Sequence, residues 1–406
     1  MVRERRTLIV SNFDVTVEKL VYGGDGLARL DGRVIFAPFV LPGERVNVQA
    51  EREKPGLIHA RTVKILEPSA SRVPAPCPVF GRCGGCHYQH APYADQLAAK
   101  RAILEEELRR LGKITPPEEI AVIAGEPWGY RNRVQLRVEK GQLGYLEMRS
   151  HKICAIAECP IASPKLNQVI ETLNRMLHDS KWPRMVRSLE VFTDETSVQL
   201  NLLKADRPVA RRFFDWCGEN VSGMVEGALD YNGRYRVSRG SFFQVNRFLI
   251  DELVAAAVEG TEGESAFDLY AGVGLFAPAL AARFTRVTAV ESGSAAARDL
   301  QFNAERAGLA NLRVEARMVE EFLQEQEGPA DLVLLDPPRA GLGKEVVRRL
   351  VEFEPRQLVV VACDPATLAR DLAGLVANGY AIVRMAMVDL FPQTYHLESI
   401  VLLQRT

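Results

Sequence analysis

The chain has 406 residues, 47% hydrophobic and 25% charged, an ordinary globular composition with length for two or three domains. A formal net charge of -1 excludes long-range attraction to a polyanion, so any RNA partner needs a local basic face. No apolar run approaches a membrane span and the start, Met1 to Arg6, leads into no signal-peptide core, so a cytoplasmic protein with no membrane partner is expected; its seven cysteines then point to metal or catalytic work rather than disulfides.

From Leu8 to Ile65 the chain reads as short strands: Leu8 to Val10, Asp14 to Leu20, Gly26 to Leu30, Arg33 to Phe36, Glu44 to Val48 and His59 to Ile65. Gly23-Gly24-Asp25-Gly26, Asp31-Gly32 and Leu41-Pro42-Gly43 supply the turns. Strands this short and closely spaced suit a small closed, OB-like barrel, a scaffold with many uses. Val21 to Ala28 followed by Phe39 to Glu44 resembles the TRAM domain, a barrel that implies RNA binding. Pro68 to Pro76, with three prolines, reads as a linker.

Next comes Cys77-x5-Cys83-x2-Cys86, with glycines that let the backbone fold back and bring three thiols around one point, as a metal or cluster requires. Cys154 and Cys159 both lie downstream as a fourth ligand, and the spacing admits zinc as well as iron-sulfur. Tyr93 to Leu111 reads as an amphipathic helix with Leu97, Leu104, Leu108 and Leu111 on one stripe and charged Glu105 to Arg110 facing solvent. Arg131 to Val138 alternates, so that Arg131, Arg133, Gln135 and Arg137 share one strand face and Val134, Leu136 and Val138 the other. With Lys140, Arg149 and Lys152, that face is the local basic surface a near-neutral protein needs to hold phosphates. Strands at Arg187 to Thr193 and Ser197 to Leu203 complete an α+β middle domain.

After Ser241-Phe242-Phe243-Gln244, Asn246 is expected to cap a helix whose apolar face includes Leu249, Ile250, Leu253 and Ala257. Ala266 to Tyr270 reads as a strand, Ala271 to Ala277 as a Gly-rich turn, Pro278 to Phe284 as a helix, and Arg286 to Val290 as a second strand ending in Glu291. Glycines admit a ligand to the backbone, and an acid there accepts hydrogen bonds from two ribose hydroxyls, which fits NAD as well as S-adenosylmethionine. Asp331 to Leu335 is a buried strand with the stiff exit loop Asp336-Pro337-Pro338-Arg339, a methyltransferase feature; Arg339 where amino-group methylases have an aromatic favours carbon methylation. Gln357 to Ala362 is a further buried strand that carries Cys363 to the sheet rim, where a thiol is a candidate nucleophile. Glu398 precedes the last apolar strand and suits proton abstraction, while His396 reads as structural.

Taken together, these motifs resemble the bacterial 23S rRNA and tRNA (uracil-5)-methyltransferases over nearly the full length, with Ala362 and Asp364 standing where that family often has Ser and Asn. The resemblance implies a multidomain chain: a TRAM-like barrel over 1–67, a central iron-sulfur and RNA-binding domain over 68–238, and a C-terminal α/β Rossmann-like methyltransferase domain over 239–406. It implies a [4Fe-4S] cluster on Cys77, Cys83, Cys86 and Cys159, and S-adenosylmethionine lined by Gln244, Tyr270, Glu291 and Asp336. Cys363 would add to uracil C6, and Glu398 would remove the C5 proton. The expected partner is RNA, 23S rRNA before tRNA, met by a monomer. The alternatives are an RNA cytosine-5 methyltransferase, although the Asp336 loop carries no second cysteine, and a non-catalytic RNA-binding assembly factor.

Overall fold

The structure, a computed structural model, describes residues 12–326 and 328–406, so the expected strand Leu8 to Val10 lies outside the described residues. The chain divides into two compact units, Met1–Ile103 with Gln393–Tyr395, and Leu104–Pro392 with His396–Thr406.

In the first unit β1 (Asn12–Leu20), β2 (Asp25–Leu30), β3 (Arg33–Pro38), β4 (Arg45–Lys54) and β5 (Leu57–Glu67) form a closed barrel in the order β1-β2-β3-β5-β4. Period-two alternation sends Val15, Val17, Ile35, Ala37, Val46 and Val48 inward to make its core, and closure leaves no unpaired strand edge. Glycine is required at Gly26, where a Cβ would stand 2.3 Å from Val40 Cγ2. The Pro68 to Pro76 stretch is pinned to the barrel: the buried Glu44 carboxylate accepts from Arg72 Nε at 2.5 Å and Nη2 at 2.8 Å, and from the N–H groups of Leu41 and Ser69. Burial pushes that carboxyl up, but Arg72 and the two N–H groups outweigh it and hold it below its usual range.

Helix α1 (Tyr93–Glu107) ends in a π-helical turn, Leu108–Gly112, closed by the Lys113 N–H on the Leu108 carbonyl. Leu104 and Leu108 are buried, but the wider turn rotates Leu111 off the apolar stripe, and it is 42% exposed. Of the charged run expected to face solvent, Arg109 and Arg110 are exposed while Glu105 and Glu107, which they pair with, are partly buried.

The second unit continues through β6 (Ala121–Ile123), β7 (Arg133–Glu139), β8 (Gln142–Leu146), β9 (Ile153–Ala155), α2 (Pro164–Leu177), β10 (Val186–Thr193), β11 (Val198–Ala205) and α3 (Arg211–Asn220). Five of these strands make one sheet, β11-β10-β7-β8-β9. A short hairpin, β12 (Leu229–Tyr231) and β13 (Tyr235–Val237), leads into α4 (Ile250–Val258), β14 (Gly263–Leu269), α5 (Ala277–Ala281), β15 (Phe284–Val290) and α6 (Ser294–Arg306). The chain closes with β16 (Leu312–Glu315), α7 (Val319–Gln324), β17 (Leu332–Leu335), α8 (Gly343–Phe353), β18 (Gln357–Ala362), α9 (Pro365–Val376), β19 (Tyr380–Val388) and β20 (Glu398–Arg405). The large sheet runs β16-β15-β14-β17-β18-β20-β19-β6, parallel from β16 to β18, with β20 antiparallel to both its neighbours. Its middle strands are continuous apolar runs, as burial on both faces demands. The strand order reverses at β14, which opens a crevice at the carboxyl ends of β14, β15 and β17.

The helix expected after Asn246 begins only at Ile250, because Asn246 is used elsewhere: its Oδ1 accepts from the Phe248 N–H and its Nδ2 donates to the Leu390 carbonyl. No helix among the described residues is long and apolar enough to cross a membrane.

Candidate active site

The crevice is lined by strand ends. β14 ends in Asp268-Leu269, and Tyr270 follows in the left-handed region with φ 62°, a strained position of the kind that persists at functional sites. Gly272, φ 57°, has open space where a Cβ would project, while a Cβ on Gly274 would strike Leu300 at 2.5 Å. Glu291, just past β15, accepts the N–H groups of Gly272 at 2.9 Å and Gly293 at 2.5 Å, so the turn and the acid are locked to each other. Asp268 has no exposed surface, and neither carboxylate oxygen has a hydrogen-bond partner among the described residues. Burial, with Asp336 and Glu291 adding repulsion, raises its pKa well above the usual carboxylate range. A buried acid with both oxygens unused suits a cationic ligand.

β17 and β18 run side by side, Leu335 opposite Val360, and deliver Asp336 and Cys363 to the same rim. Ala362 pairs with Ser399 across the antiparallel neighbour, which sets Cys363 beside Glu398. Glu398 is the first residue of β20 rather than the residue before it, and is only 4% exposed. Burial is the main cause that lifts its carboxyl well above the usual range; Asp336 raises it further and Arg339 opposes. Burial pushes Asp336 up to about 7 and the Cys363 thiol up to about 12, the latter with help from Glu398, against Arg339, and with smaller repulsion from Asp336 and Asp364. The thiol is half-buried and opens onto a pocket of ≈ 10 Å³, room for one water, lined also by Pro337, Pro338, Arg339, Thr367 and Asp371.

Helix α9 braces this rim. Asp364 caps it, accepting from Ala366 N at 3.0 Å and Thr367 N at 2.9 Å. Asp371 accepts the Leu342 N–H at 2.7 Å and Arg370 donates to the Ala340 carbonyl at 2.8 Å, so the Asp336 to Leu342 loop is held by the helix that starts at the nucleophile. Asp364→Ala is expected to lower unfolding free energy by about 1 kcal/mol, read from the urea midpoint at unchanged slope.

Gln244 is buried and Phe243 packs among Phe192, Tyr231 and Tyr235, whereas Phe242 is 63% exposed. His396 packs edge-on to Phe391, 5.6 Å between centroids. The expected phosphate-binding face needs correction: Arg133 turns into the protein, 9% exposed, and pairs with Glu190 at 2.7 Å. Lys140, Arg149 and Lys152 are exposed.

Of the expected cluster ligands, Cys77, Cys83 and Cys86 belong to the first unit and Cys159, with the alternative Cys154, to the second, where both are buried. Among the described residues no group of three or more His, Cys, Asp or Glu side chains is placed as a metal site, so the structure does not show the expected cluster.

The tRNA (Uracil-5-)-methyltransferase family model matches residues 221–406, and the TRAM domain model residues 6–63. The chain is 33% identical to an RNA methyltransferase of Aquifex aeolicus, with 96% of this chain and 98% of that one covered. It is 32% identical to the 23S rRNA (uracil(1939)-C(5))-methyltransferase of Alkalilimnicola ehrlichii, covering 100% and 99%. The chain belongs to the RNA (uracil-5-)-methyltransferase family. Its fold is similar to the crystal structure of Pyrococcus abyssi tRNA (uracil-54, C5)-methyltransferase in complex with S-adenosyl-L-homocysteine, at TM-score 0.74 and 27% identity over 96% of this chain and 100% of that one. As a uracil-5 RNA methyltransferase it takes its methyl group from S-adenosylmethionine, and the nicotinamide and assembly-factor readings fall away. What the sequence reading passed over in this methyltransferase is Asp268, whose signal was an acid inside an apolar strand directly before the glycine turn.

Proposed function

We propose that the enzyme methylates C5 of a uridine in 23S rRNA through a covalent adduct between Cys363 and uracil C6. The observation that carries this is the meeting of Cys363, Asp336 and Glu398 at the ends of three adjoining strands, beside the glycine turn. For rRNA over tRNA the support is the full-length similarity to a relative named for 23S rRNA. The rival reading, a tRNA uridine, rests on the likeness to the P. abyssi enzyme.

Uracil C5 is a poor nucleophile, and attack of the Cys363 thiolate on C6 forms the S–C bond and drives the C5–C6 electron pair into an enolate. S-adenosylmethionine, when bound, would supply an electrophilic sulfonium methyl group for C5 to attack, the S–CH₃ bond breaking and the neutral thioether leaving. Glu398 then takes the C5 proton, its electron pair re-forms the C5–C6 double bond, and the thiolate leaves. Both ring faces must be reached, so the uridine leaves its stack to enter the site beside Cys363. The orphaned Asp268 carboxylate, the open space over Gly272 and Glu291 at its strand end fit a cationic, ribose-bearing donor, with Gln244, Tyr270 and Asp336 around it.

The pKa directions set the pH dependence. Burial pushes the Cys363 thiol up to about 12 and only its thiolate attacks, so kcat/KM should climb about tenfold per unit from about pH 6 to pH 9. A flat profile would show that deprotonation of the thiol does not limit the reaction.

Mapping 5-methyluridine in RNA from a deletion strain tests the substrate. Loss from 23S rRNA, restored by the purified enzyme, is expected; loss confined to tRNA transfers the proposal to the rival reading. The [4Fe-4S] reading is kept apart from this chemistry, supported by the all-thiol donor set and the Gly85 N–H on Cys83 Sγ at 3.4 Å. About four irons per chain after anaerobic purification are expected on it, and iron-free protein ends it.

A further inference from the structure

The segment Ser238 to Gln244 carries Gln244 into the proposed donor site and leaves Phe242 63% exposed beside it, yet none of it lies in a helix or strand. Irregular backbone placed this close to the chemistry needs something to hold it. On one side Arg133 donates from Nη1 to the Ser241 carbonyl at 2.8 Å while Nη2 meets Glu190 at 2.7 Å, and the guanidinium lies 5.2 Å from the centroid of the Phe192 ring. Glu190 is itself braced by Asn201 at 3.2 Å and Gln135 at 3.3 Å, so the guanidinium is aimed from a buried, fully hydrogen-bonded base. The residue before it, Asn132, donates from Nδ2 to the Gln244 carbonyl at 3.2 Å and from its backbone to the Val245 carbonyl at 2.9 Å. On the other side Asp299 of α6, 1% exposed, accepts from Ser238 N at 2.6 Å, Ser238 Oγ at 2.7 Å and Ser241 Oγ at 2.9 Å. One turn further along α6, Asn303 accepts from Arg236 N and donates to the carbonyl of Val273, in the glycine turn. The same helix therefore holds both the segment and the donor-binding turn.

We propose that Arg133, braced by Glu190, and Asp299 are positioning residues that fix the Ser238 to Gln244 segment for the reaction, and that Arg133 is no phosphate contact. The proposal rests on the reading of Gln244 as a donor-site residue. An arginine that touches phosphate is exposed and exchanges its counterion for RNA; this one is 9% exposed and turns its two terminal nitrogens to a carbonyl and a buried carboxylate.

The full-length variants Arg133→Gln, Glu190→Gln, their double and Asp299→Asn, with Gln244→Ala as control, are compared by calorimetry with S-adenosylmethionine, by steady-state kinetics, and by RNA binding across a salt series. Arg133→Gln is expected to weaken donor binding and cut kcat/KM by up to about 100-fold, with RNA affinity and its salt slope unchanged. Glu190→Gln should reproduce that pattern, and the double variant should be no worse than either single one. A salt slope reduced by about 0.7 to 0.9, with donor affinity intact, would overturn the proposal and make Arg133 a phosphate ligand. Melting curves accompany every assay; should the Arg133 and Glu190 variants unfold, Asp299→Asn, outside the ion pair, carries the test, and normal donor affinity in it refutes the proposal. If Gln244→Ala itself binds donor normally, the donor-site reading fails; if it loses donor while the folded positioning variants do not, the positioning proposal fails alone.

Discussion

Cys363→Ala is expected to abolish methyl transfer, lowering the rate by about 10⁴ to 10⁶, while leaving S-adenosylmethionine affinity and the melting temperature close to those of the parent. The size follows from the substrate: without a sulfur on C6 no enolate forms, and C5 has no electron pair to offer. Stability is spared because the side chain is half-buried at a rim and its helix is capped by Asp364 rather than by the thiol. The check is single-turnover transfer of labelled methyl to RNA, with denaturing gels for the adduct. Methylation at more than about a hundredth of the parent rate would remove Cys363 from the mechanism.

Glu398→Gln is expected to fail differently. The amide keeps the shape of the carboxyl but cannot take the C5 proton, so on the proposed mechanism addition and methyl transfer should proceed and elimination should not. Release of free methylated RNA is expected to slow by about 10² to 10⁴, and a covalent protein–RNA species carrying label from both donor and RNA should accumulate. The substitution also removes the repulsion that Glu398 exerts on the thiol, so the first step should start at lower pH than in the parent. Normal turnover with no trapped species would assign the proton to another base, with Asp336 the first to examine since burial holds its pKa at about 7.

How much of this was legible in the chain depends on the range of the interaction involved. Asp336 and Cys363 could be found because each follows a short apolar run broken by proline, a local pattern that places the residue at a strand end whatever the rest of the protein does. Leu111 was misplaced for an equally local reason with no local signal: one π-helical turn shifts the stripe, and nothing in the residues announces it. Asn246 looks like a cap by residue type, yet it serves Leu390, a partner far along the chain.

Arg133 shows the same limit at longer range. Alternation correctly grouped it with Gln135 and Arg137 on one strand face, but whether that face meets water or carboxylate depends on β10, which brings Glu190 alongside, and on the Ser241 carbonyl. A charge pattern alone reads the same in both cases.

The amino-acid order by itself therefore settled the barrel, the α/β sheet, the glycine turn and which residue types stand at strand ends, since periodicity and proline or glycine breaks act over a few residues. Only the tertiary structure decided that Glu398 stands against Cys363, that Asp268 is buried with both oxygens unused, and that Arg133 faces inward. Those facts are set by pairing register and by burial, which join residues far apart along the chain and leave no mark on the sequence around any one of them.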